Sequence, residues 1–355
     1  MKKTVFFLLC LVLILSGCGK EKETEETSVP VSEPVATKEN SQKGEIKEEP
    51  ELAGLAINPL TGLYIDEEIA NRRPVAVVIN NHHKALPQSG IAQADILYEV
   101  LAEGEITRLV AIFKDFDAEK IGPVRSARSY FTYFALDNGA IFIHHGGSPS
   151  GYESIKARGI NNIDGMTDVK TFWRDPARIN QAGMYEHSSY TGAKEILSGA
   201  ESYGYSMDDP GVKLFSFNEG DTDISGEDVI EFTVPFSNTY YTSFEYDEGN
   251  KLYVRYESGS PHIDELTGEA LTCKNIIIQF ANTSIVDDVG RRDIDLVGSG
   301  RAIYITNGKM KEATWKKTAY NVPTSFEADG KELLLNPGKT NVLVVPTTLG
   351  IDVAG

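Results

Sequence analysis

Residues 107–115 read Thr-Arg-Leu-Val-Ala-Ile-Phe-Lys-Asp, and this run decides the fold class. It is short, apolar and β-branched through its middle and lies between turn-forming residues, which marks a strand rather than a helix. Working outward, Pro74–Asn80 (PVAVVIN), Asp95–Ala102 (DILYEVLA) and Ala140–Gly147 (AIFIHHGG) have the same character. Helical spacing separates or follows them at Ser126–Asp137, with Tyr130, Phe131, Phe134 and Ala135 on one side, and at Gly151–Arg158 and Tyr190–Tyr203. Strands interleaved with helices predict a layered α/β unit over residues 53–207.

Residues 208–227 are rich in Asp and Gly and read as a linker. From 228 to 355 the helical signals vanish and strand runs recur between turns. They are Tyr241–Tyr246 and Lys251–Tyr256 across Asp247-Glu248-Gly249-Asn250, then Asn275–Ala281, Ala302–Thr306, Phe326–Ala328 with Glu332–Leu335 across Asp329-Gly330, and Asn341–Pro346. The predicted class is α+β: an N-terminal mixed α/β unit followed by a smaller β-rich C-terminal unit.

The amino terminus reads as a processing signal. Lys2 and Lys3 precede an uncharged run from Val5 to Leu15, too short for the about 20 apolar residues of a membrane span. It ends in Leu15-Ser16-Gly17-Cys18, where small residues ahead of a cysteine suit cleavage by a lipoprotein signal peptidase. Residues 1–17 are therefore read as a signal peptide and Cys18 as a lipidated first residue of the mature chain. Two or more acyl chains, at about 0.8 kcal/mol per buried CH₂, give durable anchoring. Residues 18–52 then form an acidic tether of Glu, Lys, Thr, Ser and Pro, with too little apolar area to fold. The expected location is the outer face of a cytoplasmic membrane, as in Gram-positive lipoproteins.

The cysteine count agrees. Of the three, Cys10 lies in the leader and Cys18 carries lipid, so Cys273 stands alone in the folded body and no internal disulfide is possible. Leu271-Thr272-Cys273-Lys274 reads as a buried strand. Formal charge is −18, and loss of Lys2 and Lys3 leaves −20. Nucleic acid, which is bound through clustered Lys and Arg, is excluded as an expected partner.

The densest polar constellation is Arg108 with Gly122-Pro123-Val124-Arg125-Ser126-Ala127-Arg128. Read as crossing into a helix start, Arg125 and Arg128 would join guanidinium forks to free backbone N–H groups in an anion site. The competing reading pairs the three arginines with Glu99, Glu103 and Glu105. A second cluster, His144-His145-Gly146-Gly147-Ser148, stands at the C-terminal end of a strand, where open α/β sheets bind ligands. One of the histidines, with Ser148, is a candidate acid, base or donor; the plain alternative is a serine-capped turn. Arg174, His187 and His262 are secondary candidates. His187 beside Ser188 and Ser189 invites a hydrolase reading, although Ser189 also suits a helix N-cap ahead of Tyr190–Tyr203. Catalytic residues stay unassigned, no metal set has a recognisable spacing, Gly298-Ser299-Gly300 reads as a turn, and no cofactor is expected.

Asn58-Pro59-Leu60-Thr61-Gly62, Arg72-Arg73-Pro74-Val75-Ala76-Val77, Pro87-Gln88-Ser89-Gly90, Glu103-Gly104 with Thr107-Arg108, and Gly122–Arg128 together resemble the YerB-like lipoproteins, which carry a domain of unknown function. The resemblance continues through His145-Gly146-Gly147-Ser148, Tyr253-Val254-Arg255, Pro261-His262-Ile263-Asp264 and Thr314-Trp315-Lys316, and spans nearly all of Asn58 to Asp352. It implies a lipoprotein but no assigned activity. At Met184-Tyr185-Glu186-His187-Ser188 the chain departs from a Pro-His-Asn pattern before a Tyr, which leaves the role of His187 open. The order of Asp95-Ile96-Leu97, a strand at Thr107–Phe113 and Gly122–Arg125 is similar in layout, not in motifs, to the LytR-CpsA-Psr phosphotransferases, which hold a polyprenyl pyrophosphate with arginines.

The expectation is a non-enzymatic envelope factor binding a wall polymer, an anionic lipid-linked precursor or a wall-synthesis protein near Arg125, Arg128 and His145. The competing class is an envelope hydrolase or phosphotransferase using the Arg/His/Ser cluster. A substrate-binding lipoprotein of an importer fits less well, because such proteins have two similar α/β lobes.

Overall fold

Val75–Asn80 (β1), Ile96–Leu101 (β2), Thr107–Phe113 (β3), Ile141–His144 (β4) and Asn162–Asp164 (β5) form one end of a long central sheet. A computed structural model describes residues 52–354. The signal peptide, Cys18 and the tether up to residue 51 lie outside the described residues. Further along the chain come Glu231–Val234 (β6), Thr242–Asp247 (β7), Leu252–Glu257 (β8), Asn275–Ala281 (β9), Gly298–Thr306 (β10), Lys309–Lys317 (β11), Ser325–Ala328 (β12), Lys331–Glu332 (β13) and Thr340–Pro346 (β14). The central sheet runs β13-β12-β11-β10-β9-β14-β2-β3-β1-β4-β5. It therefore crosses the expected boundary between the units: β14 pairs in parallel with β2, Thr340 opposite Ile96 and Val344 opposite Val100.

The helices are Glu67–Ala70 (α1), Phe131–Asp137 (α2), Pro149–Ala157 (α3), Pro176–Ile179 (α4) and Ala193–Ser202 (α5). Among the described residues no helix follows Ser202, so the chain is sheet-rich and everything described beyond that point is strand and loop. Local chemistry places their starts. Ser148 Oγ accepts from Gly151 N at 3.0 Å with Pro149 in the first turn, and Asp175 Oδ1 accepts from Ala177 N at 2.8 Å ahead of Pro176.

Alternation of side chains along each strand sorts the core into two faces. On one face, Ala76, Val78, Val110, Ile112, Ile277 and Val342 pack with Phe131 and Phe134 of α2 and Ile155 of α3. On the other, Val77, Leu109 and Ala111 pack under Ile196 and Ala200 of α5. Further along that second face, Ile276, Ile278 and Leu343 pack under Phe232, Phe244 and Tyr253 of the smaller sheet β6-β7-β8. Between these two apolar clusters, β2 turns Glu99 to the same face as Leu97 and Leu101, and a buried polar seam gathers around it.

Several expectations change. The helix predicted from Ser126 begins at Phe131, because Arg125 N bonds to Val78 O at 2.9 Å and Ala127 N to Gly146 O at 2.9 Å, drawing this stretch into the sheet. Ser189 is no N-cap: it lies in a two-residue strand, Ser189–Tyr190, and α5 starts at Ala193 after Gly192. Gly298-Ser299-Gly300 is the first part of β10, not a turn. The segment 208–227, expected as a linker, is packed: Phe215 is buried in the core, and Ser216–Phe217 pairs with Leu334–Leu335. Cys273 is buried in a short strand, as its context indicates.

Candidate functional site

Strands β1 and β4 run parallel, and their C-terminal ends, Asn80 and His144, open toward the same edge. The segment 122–127 threads past both: Asn80 N bonds to Pro123 O, and His145 N bonds to Arg125 O. Arg125 thus stands between the two strand ends. Around it gather side chains from the loops after β1 (His82), after β4 (His145) and after α4 (Glu186, His187).

The three arginines of the expected anion site part company. Arg108 is buried and donates from Nη2 to Glu103 Oε1 and from Nη1 to Asn80 Oδ1, at 2.5 and 2.9 Å. Arg128 donates to Glu103 Oε2 at 2.7 Å and to Ala127 O at 2.8 Å. Burial would raise the Glu103 carboxyl, but the two guanidiniums outweigh it and hold Glu103 below the usual carboxylate range. Arg108 and Arg128 are accordingly neutralised by one carboxylate, as the competing reading proposed, and do not themselves make an open anion site. The helix dipole expected to assist them is absent too, since α2 begins later.

Arg125 differs. Its acid is Glu186, reached from Nη2 at 3.1 Å, with a second bond from Nη1 to Glu186 O at 3.1 Å. The Glu186 side chain is 70% exposed. Arg125 Nε, like Arg108 Nε and Arg128 Nε, is buried without a partner among the described residues, so the exposure of its acid is what sets Arg125 apart.

Hydrogen-bond partners assign the histidine tautomers around Arg125. Asn80 Oδ1 accepts from Arg108 and from His82 N, so Asn80 Nδ2 is the donor to His187 Nδ1 at 2.8 Å. His187 must then carry its proton on Nε2. His82 Nδ1 accepts from Lys84 N at 3.0 Å, which places its proton on Nε2 as well. The two rings lie 4.8 Å apart. Burial, with His82 and Arg125 nearby, pushes His187 down to about 4, and burial with neighbouring cations lowers His82. Both imidazoles are neutral at pH 7 and offer N–H groups, not lone pairs, which suits an anion and not a metal ion.

His145 is fixed the opposite way. Arg174 Nη2 donates to its Nε2 at 3.1 Å, so the proton sits on Nδ1 and is donated to Ser189 Oγ at 2.7 Å. A serine nucleophile needs a lone pair from its histidine, and this histidine gives it a proton instead. Burial and the Arg174 charge push His145 down to about 4, which further weakens it as a base. Arg174 is itself held by Tyr185 O at 2.7 Å and lies over the Tyr185 ring at 4.2 Å.

Two other predicted residues do not join the cluster. Ser148 is buried and caps α3, which is the serine-capped turn offered as the alternative. His262 is fully enclosed in the polar seam. Arg255 Nε donates to His262 Nδ1 at 2.9 Å, and His262 Nε2 donates to Gln88 Oε1 at 2.7 Å. Gln88 in turn donates to Asn81 Oδ1 at 2.9 Å. Burial and Arg255 hold His262 well below its ordinary value. Among the described residues no group of three or more His, Cys, Asp or Glu side chains could hold a metal ion, and no helix is long and apolar enough to cross a membrane.

Two family models match, described as "Protein of unknown function (DUF3048)" N-terminal domain over residues 60–206 and C-terminal domain over residues 232–342. The chain belongs to the DUF3048 family. It is similar to the "Putative lipoprotein YerB" of Bacillus subtilis (strain 168), 38% identical over 293 residues that make 81% of this chain and 86% of that one. It is also similar to the crystal structure of the YerB protein from Bacillus subtilis, with a TM-score of 0.73 and 36% identity, covering 83% of this chain and 98% of that chain. The Arg125 cluster falls wholly in the DUF3048 N-terminal segment, whereas Arg255 and His262 of the seam come from the C-terminal one. Sequence reasoning missed Asn80 and His82 as parts of the cluster. Their signal was position: both lie at the exit of the apolar β1 run, where a sheet of this kind binds ligands.

Proposed function

We propose that this chain is a lipid-anchored extracytoplasmic lipoprotein, tethered through Cys18 to the outer face of the cytoplasmic membrane, whose body binds an anionic ligand of the cell envelope without transforming it. A wall polymer or a lipid-linked precursor is the ligand class in view. The anchoring half rests on the leader, the cysteine and the lipoprotein name of the Bacillus subtilis relative. The binding half rests on one observation: the tautomers around Arg125 present proton donors and withhold the base that Ser189 would need.

Cross-linking of the intact protein in its membrane tests this reading. Wild type captures an anionic envelope component, and Arg125→Ala, with an unchanged melting temperature, loses at least about tenfold of that capture, as expected for a charge-assisted contact worth over 1.4 kcal/mol. Turnover of an envelope substrate that vanished in His145→Ala would overturn it in favour of an enzyme.

A further inference from the structure

The acid that meets Arg125 is Glu186. Its carboxylate touches Arg125 alone among the side chains described, from a single turn, Tyr185–His187, on an exposed loop. That contact is long and open to solvent, unlike the short bonds by which Glu103 holds Arg108 and Arg128. A carboxylate brings two oxygens and here satisfies one guanidinium. The seat offers more donors: Arg125 Nη1 and Nη2, and the Nε2–H groups of His82 and His187, which meet no acceptor among the described residues. Behind them Arg108 and Arg128 add fixed positive charge, with only Glu103 against the pair.

Resting on the anion-binding reading and sharpening it, we propose that Glu186 is a built-in, displaceable occupant of this seat, and that the ligand which displaces it carries a terminal phosphoryl group. Such a group has three oxygens on one centre, enough for the guanidinium and both imidazole N–H groups at once, where a carboxylate leaves one side unmatched. The exposed Glu186 side chain swings into solvent while its turn stays in place, Arg125 exchanges one anion for another, and Asn80 keeps His187 in the donating tautomer throughout. Non-covalent exchange of this kind needs no co-reactant.

Isothermal titration of the full-length chain with inorganic phosphate, glycerol 3-phosphate, vesicles bearing a lipid phosphomonoester, and acetate as planar control tests the proposal. Phosphate or a phosphomonoester binds; the tightest arm tells whether the source is free, polyol-linked or lipid-borne. Glu186→Gln tightens that binding by about fivefold, the scale of removing an exposed competing pair, and both Arg125→Ala and Arg125→Gln abolish it. Arg125-dependent binding that Glu186→Gln leaves unchanged, or acetate bound as tightly as phosphate, overturns this proposal while the broader anion-binding reading stands. Absence of any Arg125-dependent binding in folded protein overturns both.

Discussion

Two arginines of this molecule, Arg255 in the seam and Arg125 at the strand ends, are each set among glutamates, an asparagine and histidines, and they differ in one respect: saturation. Arg255 is buried and donates to Glu99 at 2.7 Å, Glu257 at 3.2 Å, His262 at 2.9 Å and Asn341 at 3.3 Å. Thr242 and Asn81 donate to the same oxygens, Glu99 Oε2 and Glu257 Oε2, while Asn81 and Ser258 reach Glu99 Oε1 and Glu257 Oε1, and the network runs on through Asn81 to Gln88. Arg125 has one exposed carboxylate, one carbonyl and an orphan Nε. The same side-chain chemistry is structural where every nitrogen has a buried partner, and available where the partner carboxylate is exposed and a nitrogen is left over. Residue type alone does not make that distinction; hydrogen-bond arithmetic does.

The largest expected effect is in the seam. Arg255→Met removes the cation paired with buried Glu99 beside the Glu257 carboxyl, and a broken buried pair of this kind costs about 3–5 kcal/mol. Urea unfolding followed by near-ultraviolet circular dichroism measures it. A loss below about 1 kcal/mol would mean that the seam relaxes or takes up water, and that saturation is not what separates the two arginines.

A second test uses pH. Burial, and then the Glu99 charge beside it, pushes Glu257 up to about 8, so the folded protein holds a proton there that the unfolded chain releases near its ordinary value of 4.5. With the folded value raised, this contribution to stability is full below about pH 4.5 and is lost as pH rises through 8. The slope is at most about 1.4 kcal/mol per pH unit. Glu257→Gln keeps an acceptor for Arg255 and Asn81 but cannot titrate. Wild type should therefore lose stability relative to the variant between pH 5 and pH 8, and parallel unfolding curves would count against a buried protonated carboxyl. The opposite sign holds at the strand ends. His145 and His187, both pushed down to about 4 by burial and neighbouring arginines, are neutral in the fold. Their contribution is whole above about 6.5 and falls as pH drops toward 4. Combining His145→Gln with His187→Gln flattens that acid limb in a thermal melt; an unchanged acid limb would show that these rings are solvated.

How much of this was legible beforehand follows from range along the chain. Asn275–Ala281 is a strand at the residues expected, and Asp329-Gly330 is a hairpin turn with both residues at positive φ, 52° and 70°, because both signals are local. Lys309–Lys317 escaped notice. Its inward side chains, Ala313, Trp315 and Lys317, are a poor apolar stripe, although Asn307-Gly308 ahead of it, at φ 50° and 71°, carries the strongest hairpin signal there is. The parallel pairing of Thr340 with Ile96, which carries one sheet across the two family segments, has no local signature at all. In the site, Arg108, Arg125, His145, Arg174 and His187 stood out by type. Which acid each arginine meets depends on contacts such as Asn80 to His187, 107 residues apart, and no spacing encodes them.

The smallest expected effect on stability is at Arg125, and it is the most informative about function. Its side chain is one-fifth exposed and its partner Glu186 is mostly so, and a pair of that kind contributes about 0–1 kcal/mol in water. Arg125→Ala also relieves an unpaired buried Nε, which offsets part of even that loss. The backbone bond from Arg125 N to Val78 O and the bond that Arg125 O accepts from His145 N survive the substitution, so the segment stays in register with β1 and β4. Unfolding of Arg125→Ala should lie within about 1 kcal/mol of wild type, a small fraction of the change at Arg255. A loss of several kcal/mol would instead make Arg125 a second saturated structural arginine and remove the contrast that singles it out for binding.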